Sequence, residues 1–102
     1  MAPLDYNRIK EFLRVSAHSK EIEVCTTLQA MSWRITKVPQ SIRKQNLHSY
    51  QHFDILEMKL VNNPSSIFNM LIDDKAGDRV KSFFIILINA LASEYVGRCY
   101  LL

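Results

Sequence analysis

The sequence predicts an all-helical domain, and three observations carry that reading. Only two glycines and three prolines occur in 102 residues, too few to supply the tight turns of an all-β chain. Two apolar series, Val24–Leu28–Met31–Ile35–Val38 and Val80–Phe84–Leu87–Leu91, alternate spacings of four and three, the period of one helix face. Hydrophobic residues make up 48% and charged residues 23%, which is enough apolar content for a core and too little charge for a disordered chain. The length suits one domain over 1–102, with a core of modest size.

About five to six helices follow in order. Asp5 is placed to cap a first helix over residues 5–16, with Tyr6, Ile9, Phe12, Leu13 and Ser16 on one face. Ser19 is read as the cap of the second, with Glu21 and Glu23 in its first turn, where the helix dipole favours acids. Ile22, Cys25 and Trp33 widen its stripe, and Pro39 ends it, because the residue before a proline resists helical geometry. Ser41 would cap a third helix carrying Ile42, Leu47 and Tyr50, with a break near Gln51–His52. Asp54 would open a short helix with Ile55, Leu56, Leu60 and Val61. Asn63 and Pro64 read as the cap and first residue of the next, which presents Ile67, Phe68, Met70 and Leu71. Asp73-Asp74-Lys75-Ala76-Gly77 is a turn, Asp78 a cap for the last long helix, and Gly97 its C-terminal stop. Arg98 to Leu102 starts one more helix.

Composition and motif content also exclude several classes. The first five residues lack a basic stretch followed by an apolar core, so no signal peptide is expected. The longest apolar run, Phe83 to Ala92 with Asn89 inside it, is far short of the roughly 20 residues a bilayer span needs, so no membrane partner is expected. Cys25 and Cys99 stand 74 positions apart with no CxxC, which points away from zinc. The simpler reading is two buried thiols in a reducing, cytoplasmic compartment. His48 and His52 share a helix face but have no third ligand beside them, and His18 falls in an interhelical turn. There is no phosphate loop, no nucleophile in a strained Gly-rich turn and no carboxylate pair on an apolar face. The chain is therefore expected to be non-catalytic, with no cofactor and no metal.

Two segments share a plan: a short helix, a polar break, then a longer amphipathic helix. One runs from Ile9 into the Val24–Ile35 stripe, the other from Ile67 into the Val80–Leu91 stripe, offset by near 58 residues. Neither hairpin can bury its apolar face alone, so the two are expected to stack, with residues 39–61 inserted between them. Leu87, Asn89, Leu91 and Ala92 approximate a "Leu-x-Asn-Leu-Ala" helix ending, and the GRCYLL that begins at Gly97 approximates the restart that follows it. Ile67 to Leu71 resembles the preceding helix. In these residues the chain resembles armadillo-like helical repeats, well over some 40 residues from Asn63 on and loosely over the first 38. Ala90 stands where that pattern has leucine, and the middle segment is longer than the pattern. The resemblance implies a short right-handed stack of helical hairpins serving as a protein-binding scaffold. Similar text occurs in long armadillo-like proteins of cilia and flagella, which implies a cytoplasmic, ciliary or cytoskeletal setting. Such stacks generally need three or more repeats, and about two are visible. A fragment or short form of a longer solenoid, self-associating through its C-terminal end, is thus also expected.

Six residues are candidates for partner contact. The resemblance implies that Asn89 hydrogen-bonds an extended peptide, since a carboxamide both donates and accepts; the alternative is a buried Asn bonded to a neighbouring helix. Trp33, the single tryptophan, reads either as a core or junction residue or as a binding anchor. Arg34, Lys37, Arg43 and Lys44 are the only charged residues between Met31 and Tyr50, and this stretch holds the whole positive excess of the +3 chain. Four unopposed bases suit an acidic protein or peptide. As an alternative they make the chain a small basic domain for nucleic acid or another acidic surface. Nucleic acid is the less favoured partner, because few aromatics interleave with the bases.

Overall fold

The computed structural model describes residues 5–73 and 75–102. Residues 1–4, read above for a leader, and Asp74, placed in an interhelical turn, lie outside the described residues. The elements are α1 (Tyr6–Ser16), α2 (Glu21–Thr36), α3 (Gln40–Phe53), a 3-10 turn (Met58–Leu60), α4 (Ile67–Ile72), α5 (Asp78–Ala92) and α6 (Tyr95–Leu101). No strand occurs among the described residues. The protein is all-helical and measures 36 × 27 × 22 Å.

The two apolar series make the centre. Val24, Leu28, Met31 and Ile35 of α2 are buried, as are Val80, Phe84, Leu87 and Leu91 of α5. The largest interface in the molecule joins these two helices. They run side by side in the same direction. The Glu21 side chain lies against Gly77 at one end, and Thr36 and Ser93 line a common groove at the other. Both helices are the second members of their hairpins, and the first members, α1 and α4, also pack together. There the His18 ring N–H donates to the Met70 carbonyl at 2.8 Å. Burial of each large apolar side chain contributes about 1.5–3 kcal/mol, so this layer is the main source of stability.

Most caps and turns differ from the sequence reading, each for a visible reason. Asp5 does cap α1, accepting from the Arg8 N–H at 3.1 Å. Ser19 does not cap α2, because its N–H bonds the Ser16 carbonyl in the preceding turn and Lys20 takes the cap position. The α3 cap is Pro39, not Ser41, and the helix runs unbroken through Gln51 and His52. Asp54 closes α3 in the left-handed region (φ 49°) where a new helix had been expected to begin. Leu60 and Val61, assigned to that helix, are exposed. The Asn63 side chain folds back on the Ser65 N–H at 2.9 Å, and Ser66 caps α4. Gly77, and not Asp78, precedes α5, with Asp78 as its first residue.

Gly97 ends no helix. It is buried inside α6, and a Cβ there would collide with the Leu91 carbonyl. Helix α5 stops instead at Ser93, whose hydroxyl donates to the Ala90 carbonyl at 2.7 Å, and the chain then bends by 120° into α6. Among the described residues, no helix is long and apolar enough to cross a membrane by itself.

The segment between the hairpins is held by polar groups. The Tyr50 hydroxyl donates to the Met31 carbonyl at 2.9 Å and the Asn46 carboxamide to the Arg34 carbonyl at 2.8 Å. Both tie α3 to the last turns of α2, and Asn46 supplies a donor to a carbonyl that the helix end leaves open. After α3, the Asp54 carboxylate accepts from the Met58 N–H, the Lys59 N–H and the Tyr100 hydroxyl, at 2.8, 3.1 and 2.7 Å. Tyr100 in turn accepts from the Leu56 N–H at 2.8 Å. Glu57, also left-handed (φ 54°), is buried and accepts from Arg14 at 2.8 Å and from the Ile67 N–H at 3.1 Å. Burial raises the Asp54 carboxyl, but the Tyr100, Lys59 and Met58 hydrogen bonds outweigh it and hold it below the usual carboxylate value. The Tyr100 hydroxyl is pushed up by burial and by its bond to Asp54.

Candidate functional site

Side by side, α2 and α5 leave a groove over the C-terminal halves of both. Gln29, Ser32, Trp33 and Thr36 come from α2, Phe83, Ile86, Asn89 and Ala90 from α5, and Ser93 from the turn after it. On each helix these positions recur every three or four residues, one face of an α-helix. The open volume is about 470 Å3, within the range of built ligand sites.

Trp33 is 47% exposed, so it belongs to the groove and not to the core. Ile86 is 54% exposed, and Phe83 is half-buried beside it. Asn89 is exposed on the opposite wall, which rules out the buried asparagine considered above. The hydroxyls of the groove are already used. Ser32 donates to the Leu28 carbonyl at 3.0 Å, Thr36 to that of Ser32 at 3.2 Å, and Ser93 to that of Ala90. The carboxamides of Gln29 and Asn89 have no hydrogen-bond partner among the described residues. The groove is therefore an apolar floor between two amide groups, each with donors and an acceptor still open.

The four bases separate. Lys37 closes the end of α2 and places its ammonium 5.6 Å from the centre of the Trp33 ring, within range of a cation–π contact. Arg34 lines a different crevice, with Ile9, Thr26, Thr27, Ala30 and Met31. Lys44 is exposed beside a small hollow with Gln40, Leu47, Glu94, Tyr95 and Val96. Arg43 is not unopposed: it pairs with Glu94 at 2.9 Å and donates to the Val38 carbonyl at 3.2 Å. The bond from residue 43 to residue 94 pins the start of α3 to the α5–α6 turn. The sequence cannot signal it, because the partners are 51 residues apart.

Three other candidates resolve simply. Both cysteines are free, Cys25 buried and Cys99 exposed, so the expected pair of buried thiols is half right. Burial, with Glu21 nearby, raises the Cys25 thiol. His48 and His52 are exposed on α3, and no group of three His, Cys, Asp or Glu fit to hold a metal occurs among the described residues. Ile22, assigned to the stripe of α2, is 68% exposed. Gln29 is a groove residue that sequence reading missed. Its signal was available, since it stands four residues before Trp33 and seven before Thr36 on the same face.

Compared with protein-family models, with curated proteins and with solved structures, the chain finds no match.

Proposed function

We propose that this chain is a non-catalytic protein-interaction module that binds an extended peptide segment in the α2/α5 groove. The observation that carries the reading is the meeting of Trp33 and Asn89, 56 residues apart in sequence, on facing walls of one exposed apolar groove. Trp33 offers a large rigid surface of the kind that anchors interfaces. Asn89, with Gln29 opposite, can both donate to and accept from a peptide backbone. The pairing of like helices, α1 with α4 and α2 with α5, supports an armadillo-like stack of two hairpins with residues 39–61 as an inserted brace.

Trp33 is the single tryptophan, so its fluorescence reports on the groove directly. Peptides selected from a random-peptide phage library against the intact chain should shift Trp33 emission. They should lose about 30-fold in affinity on Trp33→Ala and about fivefold on Asn89→Ala. Peptides that leave the emission unchanged and bind both variants like the parent would overturn the groove as the site.

A further inference from the structure

We infer that the groove selects an acidic peptide, one with an Asp or Glu two positions from a bulky apolar residue. This rests on the groove reading above and adds the chemistry of the occupant. The lining residues of the groove carry no charge. The cation set against it is Lys37, whose ammonium lies over the exposed Trp33 ring at the C-terminal edge. No ion pair of Lys37 with an acid occurs among the described residues, and Glu94, which follows Ser93 at that same end, is committed to Arg43 at 2.9 Å. That ion pair ties both Arg43 and Glu94 into the fold. An apolar groove with an uncompensated cation at one end complements an apolar side chain with a carboxylate beside it.

The spacing follows from the two geometries. Trp33 and Lys37 are four residues apart, about 6 Å along α2, and the ammonium lies 5.6 Å from the ring centre. In an extended peptide, alternate side chains point the same way about 6.6 Å apart. An apolar side chain seated among Trp33, Phe83 and Ile86 therefore presents the side chain two positions away to Lys37. The peptide groups on the other side of the apolar residue run toward the open carboxamide of Gln29, four residues before Trp33, with that of Asn89 on the facing wall. Helix α2 also benefits from a lysine at its C-terminal end, but that role alone does not need an ammonium held over an exposed ring.

The test is a parallel selection of random peptides, displayed on phage, against the parent chain and Lys37→Glu. Peptides that the parent enriches should carry Asp or Glu two positions from Leu, Ile, Phe, Trp or Met. Synthetic copies should bind Lys37→Glu about fivefold more weakly at low salt, with the gap closing as salt rises. Lys37→Glu should enrich Lys or Arg at the same position, which also shows that the variant is folded and its groove intact. Groove-bound peptides without an acidic bias, or with the same bias on Lys37→Glu, overturn this inference and leave the groove reading standing. Enriched peptides indifferent to Trp33→Ala and Asn89→Ala overturn both.

Discussion

The molecule treats its polar groups differently in two places. Around Asp54 and Glu57 they close on one another, with carboxylates, a tyrosine hydroxyl and backbone N–H groups all bonded within the fold. In the α2/α5 groove the hydroxyls are tied back to their own helices, while the carboxamides of Gln29 and Asn89 stay open beside exposed Trp33 and Ile86. Leaving a buried polar group unbonded is expensive, so the first region had to be completed for the chain to fold. The second region is exposed, and water satisfies its open groups at little cost. The lesson is that closed polar groups here serve the fold, and open ones beside apolar surface are free to serve a partner.

Four perturbations sharpen or break this contrast. The largest effect belongs to Gly97→Ala. Its methyl group meets the Leu91 carbonyl and must push α6 outward, carrying Tyr100 away from Asp54. A loss of about 3 kcal/mol is expected in urea denaturation. Next comes Glu57→Ala, which removes the acceptor for the buried Ile67 N–H and the partner of Arg14. It should cost about 2 kcal/mol.

The third perturbation is acid. The Asp54 carboxyl is held below its ordinary pKa of 3.8 in the folded chain. Its stabilising effect is therefore complete above that value and lost as pH falls below it, through the folded pKa. Thermal melts should show this acid limb, and Asp54→Asn should make it shallower. The smallest effect is reserved for the groove. Gln29→Ala and Asn89→Ala should each shift stability by no more than about 0.5 kcal/mol. A larger loss would mean that these carboxamides hold the fold together, and the contrast would fail.

Legibility in the sequence divides along the same line. The helices of the hairpins and their buried stripes follow from periodicity, because burial of one helix face acts on residues three and four apart. Val24, Leu28, Val80 and Phe84 needed no further information. The connector could not be read that way. Asp54 reads as a helix start in the chain, yet both it and Glu57 lie in the left-handed region and are bonded to partners far away in sequence, Tyr100 for one and Arg14 for the other. Gly97 looks like a helix stop, but its role is a close approach between α5 and α6 that only the tertiary fold creates. The candidate site was legible in part. Trp33 and Asn89 stand out as residue types, whereas their meeting across one groove depends on how α2 and α5 align. The basic stretch shows the opposite failure. It is continuous in sequence, and folding distributes it among a ring contact, a crevice, an ion pair and an exposed side chain.

The most direct test is nitrogen-15 NMR of the intact chain during titration with a selected peptide. The account predicts that the side-chain amide signals of Gln29 and Asn89 and the indole N–H of Trp33 move together and saturate at one affinity. The amides of Leu56, Met58 and Ile67 should stay in place. Movement confined to α3 and α6, with the Gln29, Trp33 and Asn89 signals unchanged, would contradict it.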